Sequence, residues 1–178
     1  MILSLESLEK EANLKIGILS DTHNNQINIQ NALSIFSRYQ PALLIFCGDA
    51  TTLESIQWFC EYPIIYTFGN GDLATGEIAA ILKAYKKENF VGFAYKDELG
   101  GKKVAVIHGH MYDRLDELIK SGEYDYVFTG HTHRRMDDRL GKTRLINPGA
   151  VGGSGGESRS VAILDLDSDE LIFEIFEQ

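Results

Sequence analysis

Five short clusters in this chain hold residue types that bind metals or move protons. They are Asp21-Thr22-His23, Gly48-Asp49, Gly69-Asn70-Gly71-Asp72, His108-Gly109-His110 and Gly130-His131-Thr132-His133. Together they contain all five histidines of the protein. Carboxylates, an amide oxygen and neutral imidazoles form a donor set suited to borderline divalent ions such as Mn, Fe, Zn, Co or Ni. Thiolates are missing from the set, which argues against a structural zinc site. Taken singly, each cluster is weak. Asp-x-His and Gly-Asp occur freely in turns and helix caps, and His131-x-His133 reads equally well as a hydrogen-bonded turn. What sets them apart is position: each directly follows an apolar run.

Those runs decide where the clusters come to lie. KIGILS (15–20), ALLIFCGD (42–49) and IIYTFGN (64–70) read as buried strands. Between them INIQNALSIFSRY (27–39) places Ile29, Leu33 and Phe36 at helical spacing. TTLESIQWFCE (51–61) opens on Thr51, with Glu54 three residues on, a capping pattern. ATGEIAAILKAYKK completes a third helix. Strand–helix alternation predicts parallel strands with right-handed crossovers, and near-continuous apolar strands fit a sheet covered on both faces. KVAVIHGH and YDYVFTGHTH are two further strands, with the helical stretch YDRLDELIKSG between them. After His133 the shorter segments RRMDDRL, TRLINPG, SRSVAILDLD and LIFEIFE read as an antiparallel run. Two stacked sheets with helices outside follow from this order. Ligands of open α/β sheets bind beyond the carboxyl ends of parallel strands, so the five clusters are expected on one rim.

The 178 residues fit one domain, assigned to 15–178. No apolar run approaches the ~20 residues needed to cross a bilayer. Residues 1–14 lack the pattern of a signal peptide and read as an N-terminal extension, either a short amphipathic helix or frayed. GGSGG (152–156) reads as a mobile loop. Two cysteines, Cys47 and Cys60, form no disulfide framework and suggest a reducing cytoplasm; Cys47, inside an apolar run, is expected to be a buried side chain. The net charge of -9 and the lack of a basic cluster argue against general nucleic-acid binding. No membrane partner is expected, and a homo-oligomer stays open.

In this order the five clusters resemble the motif series of the calcineurin-like metallophosphoesterases. The short chain and Asn147-Pro148-Gly149-Ala150-Val151 resemble the small bacterial and archaeal phosphodiesterase branch of that superfamily. The resemblance covers about residues 15 to 165. It implies a four-layer α/β/β/α sandwich of two mixed sheets, in agreement with the segment order. It also implies a metal-dependent phosphoesterase, a phosphodiesterase before a phosphomonoesterase, acting on a small phosphoester. Asp21, His23 and His133 would hold the first of two divalent transition-metal ions, manganese before Fe, Zn, Ni or Co. Asn70, His108 and His131 would hold the second, and Asp49 would bridge them. An extended 131–133 segment would let its two histidines swing to different ions. A water between two such ions ionises near neutral pH and can attack phosphorus in line.

The flanking residues have support roles. Gly48, Gly69 and Gly130 permit tight backbone. Asp72 either holds a ligand histidine or anchors its loop. Asn24 either touches substrate or caps the following helix. Asn147-Pro148-Gly149 reads as a turn beside the site, Arg159 as a phosphate contact or a surface ion pair, and Arg134 and Arg135 have no assigned role. One position departs from the superfamily. Many members carry, after Gly-Asn, a histidine thought to protonate the leaving group; here Gly71 stands there, leaving His110 as the candidate acid. A rival of another class is a non-catalytic protein-binding scaffold of the same fold, as in a eukaryotic membrane-trafficking complex.

Overall fold

Each apolar run forms a strand shorter than itself, because its C-terminal residues turn away to carry polar groups. β1 spans Lys15–Leu19, β2 Leu43–Phe46 and β3 Ile64–Thr67. The computed structural model describes residues 14–152 and 158–176. Apart from Leu14 and Gly152, the expected N-terminal extension and glycine loop lie outside the described residues. Helices α1 (Gln26–Tyr39), α2 (Leu53–Gln57) and α3 (Thr75–Tyr85) follow the first three strands. β4 (Phe90–Gly92), β5 (Ala94–Leu99) and β6 (Lys102–Ile107) come next, then α4 (Tyr112–Lys120) and β7 (Tyr126–Phe128). β8 (Arg135–Leu140), β9 (Thr143–Pro148), β10 (Arg159–Asp165) and β11 (Glu170–Phe176) complete the order.

One sheet has the order β11-β10-β1-β2-β3-β4 and the other β5-β6-β7-β9-β8. β1 to β4 run parallel, as do β6, β7 and β9. The expected antiparallel run after His133 is therefore only half right. β8–β9 and β10–β11 are antiparallel pairs, but β9 lies parallel to β7, and β10 leaves for the first sheet to pair antiparallel with β1. β4 and β5 were not foreseen. β4 has three residues, and β5, an edge strand reading AYKDEL, exposes its charged centre.

Alternation along the strands sorts the interior into three apolar layers. Ile16, Ile18, Leu43, Ile45 and Cys47 face Val104, Val106, Phe128 and Ile146 between the sheets. Leu44, Phe46 and Tyr66 point the other way, onto Ile29 and Phe36 of α1, Ile56 of α2 and Ile78 and Leu82 of α3. Ala105, Ile107, Val127 and Leu145 pack against Leu118 and Leu115 of α4. Among the described residues the result is the α/β/β/α sandwich, with three helices outside the first sheet and one outside the second. No described helix is long and apolar enough to cross a membrane.

Two helix caps lie one residue later than expected. The cap of α1 is Asn25, whose side-chain oxygen accepts from the Asn28 amide at 3.1 Å. Asn24 is instead drawn to α2, its Oδ1 accepting from the Thr52 and Ser55 hydroxyls at 3.0 and 3.1 Å. Thr52, not Thr51, caps α2; the Thr51 amide is committed to Asp72 at 2.9 Å.

Candidate metal centre

Asp21 and His23 follow β1, Asp49 follows β2 and Asn70 follows β3. His108 follows β6, and His131 and His133 follow β7. Because β1, β2 and β3 run parallel in one sheet and β6 and β7 in the other, all these ends fall on one rim. The chain reaches it in an unusual conformation: Asp21, His23, Asp49, His131 and His133 all have positive φ, between 43° and 67°. For residues other than glycine this costs on the order of 1 kcal/mol each and persists where the surroundings over-determine it, typically at functional sites. The 131–133 segment is thus not the extended stretch expected; it is a turn, with the Thr132 amide bonded to the Gly130 carbonyl at 2.7 Å.

Two groups of donors result. His133 Nε2 lies 3.2 Å from Asp21 Oδ1 and 3.2 Å from His23 Nε2. In the second group Asp49 Oδ2 faces two rings at once, 3.9 Å from His23 Nε2 and 3.6 Å from His108 Nε2. Asp21-His23-His133 and Asp21-Asp49-His108 each converge closely enough to share an ion. The His131 ring stands 5.1 Å, centroid to centroid, from His108. Asn70 is exposed between Gly69 and Gly71, both of which touch Asp49. The Gly71 amide donates to Asp49 Oδ1 at 2.7 Å, which leaves Oδ2 turned to the rings.

The donors fit divalent ions on two grounds. Ligand atoms each about 2.1 Å from a shared ion lie about 3–4 Å apart, as these do. Asp21 Oδ1 and His108 Nε2 are also fully buried with no hydrogen-bond partner, a costly state unless a cation takes them up. His108 Nδ1 meets the Cys47 carbonyl at 2.5 Å. A carbonyl only accepts, so Nδ1 carries the proton and Nε2 keeps its lone pair for a ligand. Burial alone would raise the pKa of Asp21, but the facing His133 and His23 rings outweigh it and hold the carboxyl well below the usual range. Burial lowers the pKa of His131 and of His110, keeping both rings neutral at pH 7, the form in which imidazole binds metal.

Several supporting residues hold the candidate ligands in place. Asp72 is an anchor rather than a partner for a ligand histidine. Its Oδ2 accepts from the amides of Asp49 (3.0 Å) and Gly69 (2.8 Å) and from Tyr66 Oη (2.7 Å). Tyr66 sits in an apolar strand, and its buried hydroxyl had to find such a partner. Ser20 Oγ donates to Asp21 Oδ2 at 2.6 Å, beside the His131 amide at 2.9 Å. Buried Asn147 donates to the Gly130 carbonyl at 2.7 Å and to Thr132 Oγ1 at 3.1 Å. The turn read at 147–149 is thus a brace for the histidine loop. Arg135 acquires a structural role, bonding the Ser158 carbonyl at 2.8 Å. Two glycines are required by close approach. A Cβ at Gly69 would sit 2.0 Å from Asp49 Oδ1, and one at Gly130 1.9 Å from Ser20 Oγ.

The calcineurin-like phosphoesterase superfamily domain matches residues 14–169, from before β1 to the turn preceding β11. The chain belongs to this superfamily. Among its calcineurin-like relatives is a phosphodiesterase of Methanocaldococcus jannaschii, 36% identical over 159 residues, which are 88% of this chain and 96% of that protein. A solved archaeal phosphodiesterase superposes with a TM-score of 0.86 at 35% identity, covering 91% of this chain and 99% of the other. Vps29 of Chaetomium thermophilum, a vacuolar sorting protein, superposes with a TM-score of 0.68 at 12% identity over 92% of this chain and 96% of its own. At that identity the likeness shows the fold alone, so fold does not separate an enzyme from a scaffold here; the donor set must.

Proposed function

We propose that this protein is a metal-dependent phosphodiesterase with a dinuclear centre. The observation that carries the reading is Asp49 Oδ2 facing His23 and His108 together, amid buried donors that lack partners. The phosphodiesterase relatives support the same reaction. Two divalent ions, manganese first among Mn, Fe, Zn, Co and Ni, would supply Lewis acidity to phosphate oxygens and an activated water. Asp21, His23 and His133 would hold one ion, Asn70, His108 and His131 the other, and Asp49 both.

The chain's own groups support this chemistry. Asp21 and Asp49 are the only carboxylates in the ligand set, so two divalent ions leave the centre net positive within an acidic protein. A phosphate anion is drawn there despite the overall charge. Asp72 and the Gly71 amide keep Asp49 in one orientation, which fixes the spacing between the two halves. His110, with its ring centroid 5.4 Å from that of His108, is the candidate for moving a proton to or from the leaving group. With Gly71 where many members carry a histidine, the enzyme should be most effective on diesters with good leaving groups. Asn24 and Asn70 are candidate substrate contacts. Both cysteines are buried free thiols, and we place the protein in a reducing cytoplasm.

The test compares bis(p-nitrophenyl) phosphate with p-nitrophenyl phosphate under added Mn, with Asp49→Asn as control. Faster diester cleavage that collapses in the variant supports the reading. Faster monoester cleavage would make the protein a phosphomonoesterase. Two bound ions with neither ester cleaved would favour the scaffold.

A further inference from the structure

A cavity of about 410 Å³ opens beside the second half of the centre, lined by His110, Met111, Tyr112, Asp113 and Arg114. Four of these residues have no part in the reading above. Tyr112 is 66% exposed, a large apolar surface on the rim, yet it is not loose. Its hydroxyl meets His131 Nε2 at 3.1 Å, and the two ring centroids are 5.9 Å apart. The phenol ring is therefore a plate held at a set place relative to a candidate metal ligand. Arg114 also lines the adjoining cavity of about 310 Å³, with Lys96 and Glu117. A second exposed aromatic flanks the same half: Phe93 precedes Ala94, which pairs with Ile107 immediately before His108.

A phosphodiester has two arms. With its phosphate over the centre, an arm leaving on the His131 side would meet Tyr112, whose hydroxyl touches that ring. Phenol, thioether and guanidinium groups all favour the face of a planar ring. The carboxylate of Asp113 can accept from the N–H and amino groups of a base edge, and Arg114 can donate to its carbonyls or ring nitrogens. A nucleobase carries both kinds of edge group, whereas a sugar or alkyl arm offers no face and a plain aryl arm no such edge. The acidic chain offers no basic track for a polymer, so the ligand is a small diester.

We infer that this cavity is a base subsite, and that the substrates are small nucleotide phosphodiesters whose nucleobase stacks on Tyr112. The inference rests on the phosphodiesterase reading above. It is tested by inhibition of bis(p-nitrophenyl) phosphate hydrolysis by AMP and by ribose 5-phosphate, which share sugar and phosphate and differ in the base. AMP should bind about tenfold or more tightly, the range of one base stacked on one aromatic ring. Tyr112→Phe should retain that ratio, and Tyr112→Ala should bring it near one. Because a ratio is read, any general loss through His131 cancels. Saturation-transfer NMR on the metal-free protein gives an independent reading: transfer to the base protons of AMP in the wild type, lost in Tyr112→Ala. Equal inhibition constants in an active wild type, or a ratio untouched by Tyr112→Ala, would overturn the subsite. If the diester is not cleaved at all, the phosphodiesterase reading fails, and the NMR transfer alone then sustains or overturns the subsite.

Discussion

Replacing Asp72 by asparagine should damage both the fold and the centre. The native carboxylate is buried and accepts four hydrogen bonds, from the amides of Asp49, Thr51 and Gly69 and from Tyr66 Oη. Bonds to a charged acceptor contribute about 1.5–3 kcal/mol each, and the four share two oxygens, so their sum is not additive. Asparagine keeps one oxygen and turns an NH2 group toward donors on the other side. One to three donors lose their acceptor, for an expected cost of about 3–5 kcal/mol. For a domain of this size that lowers Tm by roughly 6–20 °C. Tyr66→Phe removes a single donor and should cost about 1–2 kcal/mol. Urea unfolding of the metal-free proteins gives both values, and Mn titration should show weaker binding in Asp72→Asn because the Asp49 backbone, at φ 59°, loses its restraint. A cost under about 1 kcal/mol with unchanged metal affinity would refute the anchoring role.

The remaining expectations concern other residues. Gly69→Ala would push a methyl group to within 2.0 Å of Asp49 Oδ1, so it should reduce bound metal per chain, read by elemental analysis, while secondary structure measured by circular dichroism is retained. Arg144 is buried and bonds Asp137 through Nε and Nη2 at 2.7 and 2.9 Å, and also bonds Asp169. Arg144→Met should cost about 3 kcal/mol in urea unfolding. The bond to Arg144 holds the Asp137 carboxyl below its ordinary value of 3.8. A depressed folded-state pKa contributes stability above the unfolded value that is lost as pH falls through the folded one. Wild-type stability should therefore drop below about pH 4 more steeply than that of the variant, whose stability in this window should be flatter. His110→Asn should slow esters with alkyl leaving groups about 100-fold and p-nitrophenyl esters far less; equal losses would deny it a proton-transfer role.

The rim was legible because parallel strands covered on both faces are nearly all apolar, so polar clusters at their ends stand out. Asp21, Asp49, His108 and His133 could be named for that reason, and their order carried the family resemblance. The misses have a common physical cause. Asn25 rather than Asn24 caps α1, and Thr52 rather than Thr51 caps α2, because tertiary bonds to Asp72 and left-handed turns at Asp21, His23 and Asn24 shift the capping positions. The apolar spacing of TRLINPG shows a strand but not its partner, so the parallel pairing of β9 with β7 stayed hidden. β5 exposes Lys96, Asp97 and Glu98 on a sheet edge, where periodicity is weak. Ser20, Tyr66 and Tyr112 act through hydrogen bonds that no spacing announces.

The proposed dependence of hydrolysis on two ions that share Asp49 is what the chemistry turns on. Its most direct test is to titrate the metal-free protein with Mn while following both bound metal and bis(p-nitrophenyl) phosphate hydrolysis. Activity should stay near background until the second equivalent binds and then saturate at two ions per chain. Hydrolysis at full rate with no ion, or with one, would contradict it.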